Sequence, residues 1–195
     1  DRGEKISFAA ALRAILRQDP DIIMVGEIRD AETLTISLRA AITGHLVLST
    51  LHTNDAPSSF SRMNDMGSEP FLVAASVRAV LAQRLVRIVC PHCGVWEQIS
   101  APEMEMLGLQ GDSFPVRRGR GCEHCRMGYR GRMGIYELLS VDEGMQKLIM
   151  NRANFEEIRR YAVKNQDFKT LRQDGIEKIK KGLTSPEEVL RVTME

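Results

Sequence analysis

The sequence predicts an α/β chain: a small parallel sheet with helices, a cysteine-bearing insert, and a mainly helical C-terminal part. Three observations predict it. Short runs of branched apolar residues alternate with helix-period segments in the first half, the pattern of a parallel sheet covered by helices. The chain's four cysteines fall in its middle as two pairs, Cys90-Pro91-His92-Cys93 and Cys122-Glu123-His124-Cys125. The last sixty or so residues carry repeated helix-start signals and an apolar stripe.

The elements follow in order. Ser7 is a fitting cap for a helix with Phe8, Leu12, Ile15 and Leu16 on one face and Arg13 and Arg17 one turn apart, ended by Asp19-Pro20. Ile22-Ile23-Met24-Val25 reads as a strand buried on both faces and runs into Gly26-Glu27. Asp30 caps the next helix and Gly44 closes it. His45 to Leu51 reads as a second buried strand with a polar tip, His52-Thr53-Asn54-Asp55. Pro57 opens a helix that Gly67 follows. The apolar segment from Phe71 to Leu85 reads as one more helix, with Arg84 to Val89 as a strand leading to the first cysteine pair. Ile135 to Leu139 is strand-like. Asn154 with Glu157, and Ser185 with Glu188 and Pro186 between them, read as capping boxes; Leu171, Ile176 and Ile179 form an apolar stripe. The expected division is 1–87 for the α/β part, 88–133 for the cysteine insert and 134–195 for the helical part.

Composition bounds the function. The 195 residues are 43% hydrophobic and 27% charged, ordinary for a soluble globular chain, with a formal charge of +1. That balance disfavours a nucleic-acid binder, whose surface would be basic. No apolar run reaches the length of a membrane span and no signal peptide opens the chain, so no membrane insertion is expected. With reduced cysteines, this points to the cytoplasm. The opening Asp1-Arg2-Gly3 lacks an initiator Met, as in a processed product or a fragment of a longer chain.

Two Cys-x-x-Cys pairs read as a tetrahedral sulfur cage from Cys90, Cys93, Cys122 and Cys125, with zinc as the ion it suits. Four thiolates leave no open position, so such a site is structural. Disulfides suit secreted domains, and a redox motif explains one pair but not two. The arginines near the second pair, Arg117, Arg118, Arg120, Arg126, Arg130 and Arg132, read as a solvated face, with an acidic partner surface as the alternative.

Glu27 ends a buried strand, the place where a Walker B carboxylate orders the water shell of Mg²⁺ or orients an attacking water. The same residue equally suits a structural pair with Arg29 or a helix terminus. His52, at the tip of the second strand, would share the sheet edge with Glu27 and can bond a phosphate; a loop histidine held by nearby backbone is the commoner case. His45 reads as structural. No Gly-x-x-x-x-Gly-Lys-Ser/Thr run exists in the sequence, so it lacks a phosphate cradle of its own.

Three runs carry a family resemblance. Ala14-Ile15-Leu16-Arg17-Gln18-Asp19-Pro20-Asp21 through Gly26-Glu27-Ile28-Arg29-Asp30 resembles the Walker B region of the secretion ATPase superfamily, the traffic ATPases of type II secretion and type IV pilus assembly. Thr43-Gly44-His45 through His52-Thr53-Asn54-Asp55-Ala56 resembles its His box. Leu81 to Arg87, the Cys-Pro-x-Cys pair and Gly128-Tyr129-Arg130-Gly131-Arg132-Met133-Gly134-Ile135-Tyr136-Glu137-Leu138 complete the match. The tetracysteine insert fits secretion and pilus-assembly members and is usually absent from retraction members. The resemblance implies a partial RecA-like sheet, with the Walker A loop and Asp box upstream of this chain. It implies Glu27 as the Walker B carboxylate and His52 as a ligand near the terminal phosphate of Mg-ATP. It further implies a parent that is a homo-hexamer, cytoplasmic and peripheral at the inner membrane, partnered by an inner-membrane platform and cytoplasmic-domain proteins. From the residues alone, a zinc-stabilised interaction module without a catalytic role is the alternative.

Overall fold

A computed structural model of the chain describes residues 7–194; residues 1–6 of the first expected stretch and residue 195 of the last lie outside the described residues. The architecture is mixed α/β. Among the described residues there are nine helices, and the strands pair as three two-stranded sheets. The chain folds as two compact units, and the expected 134–195 stretch contributes to both. The first unit runs through Val80 and resumes over Leu139–Asp167; the second holds Leu81–Leu138 and the residues from Phe168 onward.

The first unit is organised by a parallel pair, β1 (Ile22–Val25) beside β2 (Leu46–Ser49), with Ile22 opposite Leu46 and Val25 opposite Ser49. Parallel neighbours need a crossover, here α2 (Ala31–Ile42). Its first turn is capped by the Asp30 carboxylate, which accepts from the Thr33 amide at 2.8 Å and the Thr33 hydroxyl at 2.9 Å. Gly44, at φ 109°, turns the chain back beyond its C-cap, a conformation that favours glycine. α1 (Phe8–Leu16) is capped by Ser7 and packs on α2 through Ala9 and Leu12, but Phe8 and Ile15 of its expected apolar face are exposed.

Two further expectations are corrected here. β1 and β2 are covered on one face only. Ile23 and Val25 are buried, whereas Ile22, Met24, Leu46 and Leu48 are 63%, 74%, 53% and 50% exposed. The segment from Phe71 to Leu85 is not one helix. α4 (Pro70–Ser76) stops at Val77, whose backbone is extended, and β3 (Ala79–Val89) follows. From Ala79 exposure alternates residue by residue, the period of a strand. α3 (Ser58–Asp65), α6 (Glu143–Met150) and α7 (Phe155–Asn165) complete this unit, with Phe60, Val73, Met145, Ile149 and Ile158 fully buried. The capping box expected at Asn154 and Glu157 is present at the start of α7.

In the second unit β3 pairs with β6 (Tyr129–Ser140), and β4 (Gly94–Gln98) lies antiparallel to β5 (Pro115–Gly119). α5 (Ala101–Leu107) connects β4 to β5, so the stretch between the cysteine pairs is a small structured subdomain. α8 (Leu171–Lys180) and α9 (Pro186–Thr193) close the unit over a core of Val86, Val116, Ile135, Ile179 and Val189. Leu171, Ile176 and Ile179, the expected stripe, are all buried there.

Two charged groups have roles that the sequence reading did not assign. Arg118, read as part of a solvated run, is mostly buried and pairs with Glu97, Glu103 and Glu187. The second expected capping box does not form. Ser185 bonds the Tyr129 hydroxyl at 2.8 Å instead. Glu188, 1% exposed, accepts from the Arg87 amide at 2.8 Å, the Arg87 guanidinium at 2.7 Å and the Arg191 guanidinium at 2.9 Å. Arg87 also lies 4.1 Å from the Tyr129 ring centre.

Burial alone would raise the Glu188 carboxyl, but the bonds from Arg191 and Arg87 outweigh it and hold it at about 2. Glu188→Ala therefore leaves two guanidinium groups without their buried counter-charge. Because both guanidinium groups are part-exposed and regain water, it should cost about 1.5–3 kcal/mol of unfolding free energy, read by denaturant titration. The folded value lies below the ordinary 4.5. This contribution is in full force above that pH and is lost as pH falls toward about 2. The acid loss should be much smaller in the Glu188→Ala chain.

Candidate functional site

The first unit brings its two candidate residues together at the carboxyl edge of the strand pair. Beyond the strands the backbone stays tied. The Ile28 amide donates to the Thr50 carbonyl at 3.1 Å, and the Thr50 hydroxyl donates to the Gly26 carbonyl at 2.7 Å. This fixes Glu27 and the start of the His52 loop side by side. His52 Nε2 lies 3.0 Å from Glu27 Oε2, and Arg29 Nη2 lies 2.5 Å from Glu27 Oε1.

Bonds from Arg29 first, and then from His52, hold the Glu27 carboxyl below the usual carboxylate value. An ionised carboxylate only accepts, so Nε2 of His52 carries the proton in this contact. His52 is 77% exposed, so its ring is free to turn toward a ligand. Both sequence alternatives for Glu27 are thus present at once: the carboxylate sits at the edge expected of a site residue, and it pairs with Arg29. His45 is away from this edge and tied locally, with Nδ1 3.0 Å from the Ala40 carbonyl and 3.2 Å from the Thr43 hydroxyl.

Sequence reasoning missed one part of this site. Asp55 follows His52 in the same loop and is buried. Its Oδ1 accepts from the Ser58 amide at 2.8 Å, and its Oδ2 accepts from Arg159 on α7 at 3.3 Å. No pattern in a single sequence links residues 104 positions apart.

The second unit gathers Cys90, Cys93, Cys122 and Cys125, with all four sulfurs within 4.8 Å of one another. Each pair bends through a tight turn, with the Gly94 amide donating to the Cys90 carbonyl at 2.9 Å and the Cys125 amide to the Cys122 carbonyl at 3.2 Å. The chain entering and the chain leaving the second knuckle meet backbone to backbone at Gly119 and Gly128, where a Cβ on either residue would overlap the other's main chain. Sulfur separations are 3.9 Å for Cys90–Cys122, 3.7 Å for Cys93–Cys125 and 3.7 Å for Cys122–Cys125. A tetrahedron with metal–sulfur bonds of about 2.3 Å has sulfur–sulfur edges of about 3.8 Å. The spacing fits a metal cage and is far too wide for disulfides; the thiols are free.

The thiols do not ionise alike. Burial opposes the Cys90 thiolate, but the backbone amides of His92 and Cys93 draw its value down to about 7. The His124 amide favours the Cys122 thiolate, yet burial and the neighbouring sulfurs push it up to about 12. A divalent cation held by all four as thiolates would relieve that crowding. His92 and His124 lie against each other beside the cage, ring centres 4.6 Å apart and planes tilted by 51°.

The Glu27 geometry yields a direct test. Removing Arg29 takes away the largest influence lowering the carboxyl. In Arg29→Ala, carboxyl-carbon NMR should show Glu27 titrating at higher pH than in the unaltered chain. An unchanged titration would mean that the ion pair is not formed in solution.

A sequence profile described as "Type II/IV secretion system protein" matches residues 1–191. The Pseudomonas aeruginosa type II secretion system protein E is 50% identical over 97% of this chain and 38% of its own length. The Thermus thermophilus type IV pilus assembly ATPase PilB is 49% identical over 97% of this chain and 22% of its own length. Among solved structures, the pilus retraction motor PilT with bound ADP superposes with a TM-score of 0.66 at 28% identity, over 100% of this chain and 46% of that one. The chain thus spans about a fifth to two-fifths of the length of these curated relatives. No helix among the described residues is long and apolar enough to cross a membrane. On the extent of the profile match and the identity to these relatives, the chain belongs to the type II/IV secretion system protein family.

Proposed function

We propose that this chain is the C-terminal part of a hexameric ATPase that powers type II protein secretion or type IV pilus assembly. Residues 1–87 would serve as part of its RecA-like domain, 88–133 as a zinc subdomain and 134–195 as a helical subdomain. The observation that carries the reading is the meeting of Glu27 and His52, 3.0 Å apart, at the carboxyl edge of a parallel strand pair. Ligands of open α/β sheets bind at that edge. The higher identity to secretion and assembly relatives than to the retraction motor, together with the four-cysteine cage, favours the assembly and secretion branch. The parent would work in the cytoplasm at the inner membrane, against a platform and cytoplasmic-domain proteins of the machine.

Bound Mg-ATP would supply the transferable phosphoryl group and the charge neutralisation it needs. Glu27, an ionised acceptor, would hold a water of the metal shell or take the proton of an attacking water. His52 donates to Glu27 and, with its ring exposed, could offer the same N–H to a phosphate oxygen when nucleotide is bound. Arg29 keeps the Glu27 carboxyl ionised and aligned. The chain alone should not turn over ATP at a meaningful rate, because its sequence holds no glycine-rich loop or lysine to cradle the phosphates.

Glu27→Gln, placed in the longer protein that carries this chain, should bind ATP normally and lose hydrolysis by about 10²–10⁴-fold. Normal turnover in that variant removes the catalytic assignment. So does a lowered melting temperature with normal turnover per folded molecule, the result expected of a purely structural Glu27–Arg29 pair.

The cage should hold one zinc ion per chain in protein purified without chelator, measured by elemental analysis. Cys93→Ser should loosen the second unit, read by amide exchange, and leave the β1–β2 pair protected. A folded, metal-free insert with two disulfides would contradict the zinc assignment.

A further inference from the structure

Asp55 is 7% exposed, and its two oxygens face two different elements. Oδ1 closes the start of α3 through the Ser58 amide, and Oδ2 takes the Arg159 guanidinium of α7. Around it the loop is stitched to the same helix start. Thr53 Oγ1 lies 2.9 Å from Ser59 Oγ, and the Ser58 hydroxyl donates to the Asp55 carbonyl at 3.0 Å. His52 stands at the head of this stitched segment.

α7 is itself a rigid support. Its capping box is formed, and Ile158 and Ala162 are fully buried. An exposed ion pair at 3.3 Å would contribute little. This one differs at the carboxylate end. Asp55 is nearly out of solvent; the Arg159 side chain is 42% exposed, although its Nε is buried with no hydrogen-bond partner. A buried donor left unmet is costly and persists only where other contacts dictate the side chain's place.

We propose that Arg159 is a positioning residue: through Asp55 it fixes the loop that presents His52 to Glu27, so α7 sets the geometry at the strand tips. Its consequence for turnover rests on the function proposed above; the positioning itself does not.

The test reads His52 directly. The chain carries four histidines, so the ring resonances of isotope-labelled protein are few, and His52→Gln assigns the one that matters. Arg159→Gln should shift the His52 ring resonance and broaden it, and Arg159→Lys, which keeps the charge, should recover most of the original position. Asp55→Asn, which keeps an acceptor for Ser58, should give the same shift as Arg159→Gln by a second route. Ile158→Val, a mild loss of packing on the same helix, should leave His52 where it is.

A His52 resonance unmoved by both Arg159→Gln and Asp55→Asn overturns the proposal, as does an equal shift in Ile158→Val. In the longer protein, Arg159→Gln should lower kcat by up to roughly 100-fold with little change in nucleotide affinity, the cost of a displaced group near the chemistry. A shifted His52 with unchanged kcat supports the positioning and counts instead against a catalytic role for the strand tips.

Discussion

The register of one parallel strand pair governs the strand-tip site. Glu27 and His52 are 25 positions apart, and only the pairing of Ile22 with Leu46 through Val25 with Ser49 brings them to one edge. A slip of one residue would turn every side chain of one strand to the other face. Three features resist that slip. The Asp30 cap and Gly44 set where the crossover helix begins and ends. The Asp21 carbonyl accepts from the Leu46 amide at 3.0 Å at one end of the pair, and the Gly26–Thr50 side-chain bond locks the other. The polar tip is therefore held by backbone geometry before any side chain of the site is considered.

The second unit rests on a different principle. Around its apolar core, charge satisfied at fixed points organises the structure. Glu188 draws the Arg87 backbone, the Arg87 side chain and Arg191 to one buried carboxylate. Arg87 precedes Cys90 on β3, and Tyr129 follows Gly128 at the second knuckle, so the same network braces both sides of the sulfur cage. A buried ion pair of this kind is weak evidence of net stabilisation, because desolvation offsets much of the attraction. Its effect is to dictate one arrangement: α9 docks where its carboxylate, already paired with Arg191 of the same helix, meets the Arg87 amide and guanidinium.

Much of this was legible in the sequence where the determining contacts are local. The limits of β1, the caps at Asp30 and Asn154, and the two cysteine knuckles depend on residues within a few positions of one another. The failures have physical causes. Val77 to Leu85 is apolar enough for a helix, and only its period, read against an actual face, identifies the strand. Ser185 and Glu188 have capping-box spacing, but Tyr129 and Arg87 offer their side chains stronger partners from elsewhere in the unit. Arg118 sits in a basic run, yet three carboxylates from distant positions converge on it. The Asp55–Arg159 link is of the same kind. The last three are tertiary overrides of a local rule, and each involves a charged or polar group, for which the gain from a distant partner exceeds the gain from a local contact.

The corrected burial of β1 and β2 is a different sort of departure. Their sequences, Ile-Ile-Met-Val and Leu-Val-Leu-Ser, lack the apolar–polar alternation of a strand with one wet face. Within the first unit, however, only one face is covered, and Ile22, Met24, Leu46 and Leu48 stand in register on the other. Fully burying one such side chain is worth about 1.5–3 kcal/mol, so four in a row are a substantial unmet stabilisation for a two-stranded sheet. Lone two-stranded sheets are marginal in water, and this one depends on the α2 side for its cover. Composition reports the surroundings a strand is suited to, and exposure reports the packing that these residues themselves supply. The sequence reading took the first for the second, and the difference between them is confined to one identifiable face of the sheet that carries the candidate site.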